Sequence, residues 1–296
     1  IVGAGPAGLT AAIYLARFHL TVRVIDAGHS RAALIPLTRN HAGFPDGISG
    51  GDLLARMRRQ ARLNGAQLQD GHVAGLAHDG RQFIAEVGPG FLHAQTVLLA
   101  TGVVNRRPAM MDAVCHDRAL ATGQLRYCPI CDGYEVTDKA IAILGTGERG
   151  YNEAMFLRGY SADITLVASE GGHILVPAQC AALTDAGILI AGQCTSITLM
   201  GKQIALDIEG ATRRFDTLYP ALGSDIRSEL AGMVGASRTP DGCLTVDPHQ
   251  RTDVPGLYAA GDVVLGLDQI SHAMGEGGVA ASTIRNDLAK ATPIRR

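Results

Sequence analysis

The sequence lacks an excess of charge of either sign. Its 296 residues carry a formal net charge of −2, and no basic stripe or acidic tail stands out along them. Proteins that bind nucleic acid usually present a basic patch to the phosphates, so we expect no nucleic-acid partner. Hydrophobic residues make up 47% of the chain and charged residues 18%, a balance that is typical of globular proteins.

Long apolar runs are also missing. No stretch reaches the roughly 20 apolar residues that cross a bilayer, so we expect no membrane partner. No signal peptide is visible, because Ile1 already lies in a predicted strand, and a strand that starts there predicts that a few residues precede it. We therefore expect a cytoplasmic protein. Its length is sufficient for two domains, each with its own core.

A disulfide framework is absent as well. Six cysteines are spread along the chain, and only Cys128 and Cys131 lie close together in sequence. The other four are predicted to be small apolar fillers: Cys115, Cys180, Cys194 and Cys243. In a reducing compartment, a lone Cys-x-x-Cys pair is more often catalytic or metal-binding than structural.

One supersecondary pattern, in contrast, occurs twice. The first copy begins with the strand Ile1-Val2 and the turn Gly3-Ala4-Gly5-Pro6-Ala7-Gly8. An amphipathic helix from Leu9 to Ala16 follows, and then a strand from Thr21 to Ile25 that ends on Asp26. Strands that alternate with helices predict a parallel sheet.

The second copy repeats this order in the middle of the chain. It has a strand from Ala140 to Leu144, the turn Gly145-Thr146-Gly147-Glu148-Arg149-Gly150, a helix from about Asn152 to Tyr160 and a strand from Ile164 to Val167. Two such units predict an α/β fold with two dinucleotide-binding, Rossmann-like domains. Further elements are predicted at Gly65–Asp70, Gln95–Ala100, Gly187–Ala191, Gln203–Ile208 and Leu257–Ala260 (strands) and from about Gly278 to Ala289 (the final helix).

The first glycine turn has every part of a cofactor site. Gly3 permits the tight turn, Gly5 lets the backbone approach a pyrophosphate, and Gly8 lets helix and strand pack closely. The start of the helix offers free N–H groups to the phosphates. Asp26, at the end of the second strand, can accept a hydrogen bond from a ribose hydroxyl.

The second glycine turn is less complete. Gly145, Gly147 and Gly150 have the spacing and are candidate nucleotide-binding residues. The position that corresponds to Asp26 falls near Ala168-Ser169, where there is neither an acid for a ribose nor an arginine for a 2′-phosphate. Glu170 can serve the ribose if the turn is longer, and Arg149 can contact phosphate or fill space.

The run Cys128-Pro129-Ile130-Cys131-Asp132 places two thiols where they can form a small disulfide ring. Such pairs have lowered thiol pKa values and exchange readily, and Asp132 can donate or accept a proton beside them. Two other interpretations stay open here. The pair can be half of a zinc site, although a second Cys or His pair is missing, or two inert buried cysteines; no metal is expected.

These motifs together resemble the low-molecular-weight thioredoxin reductase family of flavoproteins, over essentially the whole chain. Besides both glycine turns and the dithiol run, the resemblance rests on Gly43-Phe44-Pro45 after Asn40, on Ala100-Thr101-Gly102, and on the run from Thr252 to Asp262. It implies that FAD is the cofactor. It also implies a homodimer.

The resemblance and the first turn together give a set of expected FAD-binding residues. These are Gly3, Gly5, Pro6, Ala7, Gly8, Asp26, Asn40, Val73, Ala100, Thr101, Gly102, Gly261, Asp262, Gln269 and Ile270. Gly261 and Asp262 are expected at the ribityl and phosphate groups, and Gln269-Ile270 near the flavin ring. The implied division is an FAD domain made of residues 1–107 and 239–296, with a nucleotide-type domain at 108–238.

The implied activity is thiol–disulfide exchange coupled to flavin. Cys128, Cys131 and Asp132 are the expected catalytic residues, with Cys131 nearer the flavin. The expected partner is a thioredoxin-like protein or a small disulfide or dithiol. Histidine-arginine runs that hold the NADPH 2′-phosphate in the family are replaced by Ala168-Ser169-Glu170, so the donor, NADPH or NADH, stays open.

Two alternatives to a nicotinamide-driven reductase follow from this departure. The Cys-Pro-Ile-Cys-Asp-Gly run resembles an atypical branch that includes dithiol oxidases using oxygen and reductases fed by other donors. A non-catalytic flavin redox sensor is the third hypothesis. His272 can be an acid or base in a thiol–flavin reaction, although a polar residue at a helix start is the favoured interpretation. The arginines from Arg56 to Arg62 are interpreted as a solvated helix face.

Overall fold

The computed structural model describes residues 1–291 of the chain. The α-helices are α1 (Pro6–Arg17), α2 (Gly50–Leu63), α3 (Ala113–Thr122), α4 (Pro129–Asp132), α5 (Gly147–Leu157), α6 (Pro177–Asp185), α7 (Glu229–Met233) and α8 (Ile270–Ala291). The strands are β1 (Arg23–Asp26), β2 (Gln67–Asp70), β3 (Val73–His78), β4 (Phe83–Val87), β5 (Gly90–Ala94), β6 (Val97–Leu99), β7 (Val103–Asn105), β8 (Ile141–Leu144), β9 (Ile164–Ala168), β10 (Leu189–Met200), β11 (Gln203–Ile208), β12 (Ala211–Phe215), β13 (Thr217–Pro220), β14 (Ser224–Ile226) and β15 (Leu257–Ala259). Among the described residues, no helix is both long and apolar enough to cross a membrane.

The chain forms two compact units, and both are discontinuous in sequence. The first contains Ile1–Leu37, His41–Val104 and the chain from Ile226 to the end of the described residues. The second contains Thr38–Asn40 and Asn105–Asp225. The chain was predicted to change domain after residues 107 and 238, and residues 292–296 of the predicted FAD domain lie outside the described residues.

The chain returns to the first unit at Ile226, earlier than the predicted boundary after residue 238. Residues after Ile226 pack in the first unit, because Leu230, Ala231 and Ala236 are buried in one apolar cluster with Val73. A short helix, α7, carries this segment and has no amphipathic period long enough to place it. The assignment of FAD and nucleotide roles to the two parts stays a prediction.

The first unit contains a parallel sheet that is covered on both faces. Strand β15 pairs with β6 and β1 pairs with β2, and Val2 bridges Leu99 of β6 to Ile25 of β1. Leu98 belongs to the apolar cluster with α1, α2 and α8, whereas Val97 and Leu99 belong to the cluster with the antiparallel sheet β3–β4–β5. Burial on both faces explains why β6 is continuously apolar.

Helix α8 begins at Ile270, whereas the sequence placed its start near Gly278. Glycine usually punctuates helices, yet Gly275, Gly277 and Gly278 all lie within α8. The structure gives a packing reason for one of them. A Cβ at Gly277 would lie 2.3 Å from the Ala7 carbonyl oxygen, so the absence of a side chain lets α8 pack against the first turn of α1.

The second unit contains a six-stranded sheet in the order β12–β11–β10–β9–β8–β13. Strands β13, β8, β9 and β10 are parallel, as the second β-α-β unit predicted, while β11 and β12 continue the sheet in antiparallel order. The strand predicted to end at Ala191 runs on to Met200, because its second half pairs with β11. Helix α5 starts at Gly147 rather than near Asn152, so the glycine turn forms its first turn.

The glycines of α8 provide a test of this packing. Gly277→Ala is expected to lower the free energy of unfolding by about 1–3 kcal/mol, because the methyl group meets a fixed carbonyl oxygen. Gly275→Ala is the matched control in the same helix. No atom lies within 4 Å of its Cβ position, so better helix propensity should raise the free energy by about 0.5–1 kcal/mol. Urea unfolding of the FAD-saturated proteins measures both, and equal stability of the two variants contradicts the packing account.

Candidate active site

The first glycine turn is built by backbone approaching backbone. Gly3 has a φ of +100°, and a Cβ there would lie 2.3 Å from the Ala100 carbonyl oxygen. A Cβ at Gly8 would lie 2.1 Å from the Gly3 oxygen. Gly5 caps α1, and its Cβ position meets only the Ser30 hydroxyl, at 3.4 Å. The turn thus brings Gly3, Gly5 and Gly8 together with Ala100 and leaves the face of Gly5 open to a ligand.

The carboxylate of Asp26 is buried behind this turn. Its Oδ1 accepts a hydrogen bond from the Ala4 N–H at 3.2 Å, and its Oδ2 forms an ion pair with Arg58 of α2. The solvated arginine face predicted for α2 is therefore corrected at Arg58, which turns inward to the only carboxylate at the end of β1. Arg56 lies over the ring of Phe44, 5.6 Å from its centroid. Sequence spacing alone could not separate Arg58 from its exposed neighbours.

The Gly261-Asp262 pair lies in a second set of polar contacts. Gly261 has a φ of +80°, and its N–H donates to Glu276 Oε2 at 2.6 Å. Asp262 pairs with Arg31 at 3.0 Å, and the same guanidinium nitrogen contacts Asp268 at 2.8 Å. One arginine thus holds two carboxylates.

Glu276 also contacts His272, whose Nε2 lies 3.0 Å from its Oε1. Burial raises the pKa of Glu276, and the Gly261 N–H and His272 oppose that rise. The interpretation of His272 as a plain helix-start residue is therefore incomplete. Arg31 and Glu276 were not found from the sequence: the partners of Arg31 are more than 200 positions away, and the spacing of His272 and Glu276 on one helix does not reveal the contact of Glu276 with the Gly261 N–H.

The remaining residues of the expected FAD set lie at four other places. Thr101 donates from Oγ1 to the Arg227 carbonyl oxygen at 2.5 Å, and Gly102 has a φ of +65°. Val73 is buried at the start of β3. Asn40 belongs to the second compact unit, where its Oδ1 accepts from Thr38 at 2.9 Å. Gln269 and Ile270 lie at the start of α8. Their roles toward a cofactor stay predictions.

The second glycine turn is tightly packed within its own unit. A Cβ at Gly145 would lie 2.8 Å from the Ala221 methyl group, and one at Gly150 would lie 3.0 Å from the Gly145 carbonyl carbon. Gly147 has a φ of +60°. The turn therefore has the geometry that the spacing predicted.

The segment after β9 folds back over this turn. The Ile174 N–H donates to Thr146 Oγ1 at 2.5 Å, and the Ile174 oxygen lies 3.5 Å from the Cβ position of Gly147. His173 donates from Nε2 to the Ala191 oxygen at 2.7 Å. Between Ala168 and Val176 the sequence contains no lysine or arginine.

Cys128 and Cys131 form a disulfide bond. Cys128 caps the single-turn helix α4, and the Cys131 N–H points to its sulfur at 3.2 Å. Pro129 starts this turn with the fixed φ that suits a first helical position. Within the part of the chain that the structure describes, no group of three or more His, Cys, Asp or Glu side chains is arranged to hold a metal ion.

Asp132 lies directly after the disulfide and is held from two sides. Arg126 donates to its Oδ2 at 2.9 Å, and the Tyr219 hydroxyl donates to its Oδ1 at 2.7 Å. Burial raises the pKa of Asp132 above its usual range, while Arg126 and Tyr219 lower it and Glu135 adds to the rise. The structure thus holds a partly buried carboxyl at the residue that follows Cys131.

Comparison with known proteins identifies the family of this chain. The family described as "Pyridine nucleotide-disulphide oxidoreductase" matches residues 1–277. A thioredoxin reductase from Streptomyces clavuligerus is 33% identical over 279 residues, which cover 89% of this chain and 85% of that protein. The chain belongs to the thioredoxin reductase family. It is an FAD-dependent disulfide oxidoreductase, as the sequence predicted.

Solved structures of thioredoxin reductases have the same fold. The enzyme from Streptococcus pyogenes MGAS5005 superposes with a TM-score of 0.90 at 24% identity, covering 98% of this chain and 97% of that one. The atypical thioredoxin reductase TRi from Desulfovibrio vulgaris Hildenborough is 31% identical with a TM-score of 0.56, covering 99% and 98%. Family members depend on FAD and take electrons from NAD(P)H.

The first glycine turn of this thioredoxin reductase homologue fits FAD. Side chains at Gly3 and Gly8 are excluded by backbone, and the open face at Gly5 exposes N–H groups at the start of α1. Such a turn can bind a pyrophosphate. The carboxylates of Asp26 and Asp262 are groups that can accept hydrogen bonds from sugar hydroxyls, so the residues present are compatible with a dinucleotide that has a polyol chain.

Arg31 gives a test of the cofactor site that needs no turnover. Arg31→Gln leaves Asp262 and Asp268 facing each other without a cation, so we expect the dissociation constant for FAD to rise roughly 3- to 30-fold. Fluorescence titration of the apoprotein with FAD measures it. Arg106→Gln, which breaks an exposed pair with Asp225, is the control and should not change FAD binding. Unchanged affinity in Arg31→Gln refutes a role for this ion pair.

Proposed function

We propose that this protein exchanges electrons between FAD and an external disulfide through Cys128 and Cys131. The external partner is a thioredoxin-like protein or a small disulfide. The observation that carries the proposal is the Cys128–Cys131 disulfide, which the partly buried carboxyl of Asp132 follows directly in the chain. FAD, when bound, supplies the two-electron couple that reduces this disulfide.

Cys128, Cys131 and Asp132 each have a separate role in the exchange. In the reduced pair, the Cys128 thiolate attacks one sulfur of the external disulfide, and the leaving thiolate takes a proton from Asp132. The Cys131 thiol next loses its proton and attacks Cys128, which releases the second thiol of the substrate and restores the Cys128–Cys131 bond. Arg126 and Tyr219 orient the Asp132 carboxyl for this transfer.

The second candidate function is a dithiol oxidase that passes electrons from a small dithiol to oxygen. It is favoured by one observation, the segment after β9, which has no cation for a 2′-phosphate and bonds to Thr146 of the glycine turn. The same observation weighs against NADPH as the donor of a reductase. NADH remains compatible with Gly145, Gly147 and Gly150, with Glu170 as the acid for the ribose.

We further propose a cytoplasmic homodimer. The resemblance to the thioredoxin reductases supports the dimer, and a redox pair that works as a thiol suits a reducing compartment. The FAD-binding set and the division into an FAD domain and a dithiol domain belong to the same proposal.

The cysteines are tested one at a time. Cys128→Ser and Cys131→Ser should each reduce the turnover of disulfide substrates to background, because one sulfur cannot complete the exchange. Dithiothreitol with an excess of a thioredoxin or 2-hydroxyethyl disulfide provides the assay, and Cys115→Ser, outside the pair, is the control. Full turnover in either active-site variant points instead to a flavin protein that works without the dithiol.

The donor is tested by anaerobic titration of the flavin absorbance with NADPH, NADH and dithiothreitol in parallel. We expect dithiothreitol to bleach the flavin. NADPH should bleach the flavin at least tenfold more slowly here than in a reductase with arginines at the 2′-phosphate, because the loss of a buried charge-assisted contact costs roughly 1.5–3 kcal/mol. Rapid bleaching by NADPH contradicts this expectation. Peroxide formed from dithiol and air identifies the oxidase.

A further inference from the structure

A buried carboxyl near the expected FAD site has no part in the exchange between the cysteines and the substrate. Glu276 lies in the second turn of α8 and is 9% exposed. Its Oε2 accepts a hydrogen bond from the Gly261 N–H at 2.6 Å, and its Oε1 lies 3.0 Å from His272 Nε2, four residues earlier on the helix. Each carboxylate oxygen therefore has a partner, which lowers the cost of burying the charge.

The Gly261 N–H belongs to a closely packed piece of backbone. Gly261 has a φ of +80°, and a Cβ there would lie 3.0 Å from the Ala7 methyl group. Gly277, the neighbour of Glu276, faces the Ala7 carbonyl oxygen. The bond from Gly261 to Glu276 thus ties the turn at Gly261 to the joint between α1 and α8. Because Asp262 follows directly, the position of its carboxylate depends on this bond.

Gly266 makes room for the contact between His272 and Glu276. A Cβ at Gly266 would lie 3.1 Å from His272 Nε2 and 3.8 Å from Glu276 Oε1. The loop before α8 therefore passes close over the two side chains, and the absence of a side chain at Gly266 permits this approach. The His272 side chain is still 42% exposed, so it can exchange a proton with solvent.

Negative charges outnumber positive ones around these two side chains. Asp262 and Asp268 lie in the loop before α8, and Arg31 contacts both carboxylates. Asp262 opposes the negative charge of Glu276, whereas His272 favours it. With Glu276 there are three carboxylates and one guanidinium, a net charge of −2, and a proton shared by His272 and Glu276 changes it to −1.

Other titratable groups that face α8 come from three elements. His41, in the loop before α2, has its Nδ1 3.2 Å from the hydroxyl of Ser271, at the start of α8. Strand β15 contributes Tyr258, whose hydroxyl donates to Asp287 toward the other end of the helix. The first turn of α1 has no charged residue. A test of the proton must therefore change His272 and leave His41 in place.

We propose that Glu276 and His272 form a positioning pair for FAD, which binds more tightly when the pair carries its proton. Glu276 fixes the backbone at Gly261 and with it the carboxylate of Asp262. The proton offsets one negative charge in a cluster to which FAD brings its anionic phosphates. The proposal rests on the proposed FAD-binding set, in which Gly261 and Asp262 are expected at the ribityl and phosphate groups.

Titration of the apoprotein with FAD, followed by flavin fluorescence, tests the hydrogen bond. Glu276→Ala leaves the Gly261 N–H without its acceptor, so the dissociation constant for FAD should rise about 10- to 100-fold. Glu276→Gln keeps an oxygen for that N–H and an amide group for His272, so the rise should be only about 2- to 10-fold. Affinity in Glu276→Ala equal to that of the parent overturns the role of Glu276.

Asp287→Asn is the matched control on the same helix, about three turns after Glu276. Asp287 binds Arg251 at 2.7 Å and the Tyr258 hydroxyl at 3.0 Å, so this variant should lower the midpoint of thermal unfolding of the apoprotein. Its affinity for FAD should equal that of the parent. If both variants lose affinity in proportion to lost stability, Glu276 only stabilises the fold and the proposal is wrong.

His272→Gln tests the proton of the pair. The glutamine amide can still donate to Glu276 Oε1, but it never carries a charge. At pH 6 the parent should bind FAD roughly 2- to 5-fold more tightly than His272→Gln, and at pH 8.5 the two affinities should be equal, because histidine side chains generally change charge between pH 5 and 8. His41 is present in both proteins, so its titration cancels. A ratio of affinities that does not change with pH overturns the role of the proton.

Asp262→Ala separates a failure of the pair from a failure of the proposed FAD-binding set. FAD affinity equal to that of the parent in Asp262→Ala refutes the place of Gly261 and Asp262 in that set. Weaker binding in Asp262→Ala, together with unchanged binding in Glu276→Ala, keeps Asp262 in the cofactor site and removes only the positioning pair.

Discussion

The close approach of two helices at Ala7 is the contact on which the first compact unit depends. Gly277 of α8 faces the Ala7 carbonyl oxygen, and a Cβ at Gly261 would lie 3.0 Å from the Ala7 methyl group. Residues from the two ends of the sequence therefore meet at the first turn of α1, with no room for a larger side chain. Because Gly3 and Gly8 fix the other side of that turn, the open face at Gly5 is set by backbone packing, before any ligand binds.

The two β-α-β units and their glycine turns could be predicted because their signals are local. Apolar periodicity and glycine spacing extend over a few residues, and so does the Cys-x-x-Cys pair. The electrostatic partners could not be predicted in this way. Arg31 and Asp262 are 231 positions apart and Arg58 and Asp26 are 32 apart, and a charge that pairs across the fold has the same sequence context as one that faces solvent. The start of α8 was misplaced for a related reason, since a glycine that serves helix packing looks like a helix breaker.

Burial raises the pKa of two carboxyls on packed helices of the second compact unit, Asp132 on α4 and Glu153 on α5. Desolvation raises the pKa of Asp132. Arg126 and Tyr219 oppose that rise, and their hydrogen bonds fix the orientation of the carboxyl. Burial also raises the pKa of Glu153, and its Oε1 has no hydrogen-bond donor among the described residues to oppose that rise. Glu153 is therefore protonated more easily than Asp132. A sequence pattern identifies Asp132 by its position after Cys131. Glu153 has no such neighbour, and only the packing of α5 against α4 brings it to the site.

The two glycine turns show why spacing alone is an incomplete signal for a ligand. In the second turn, Ala221 leaves no room for a side chain at Gly145, and the Gly145 backbone leaves none at Gly150. Packing would therefore preserve both glycines even if no nucleotide bound there. The first turn differs in chemistry rather than in spacing, because a buried carboxylate, Asp26, is anchored at the end of its second strand. At the corresponding place, the second unit has Ser169 and Glu170, followed by backbone that bonds to Thr146. The glycines of the second turn therefore do not distinguish between possible electron donors, and the proposed weakness toward NADPH rests on the residues of the segment after β9.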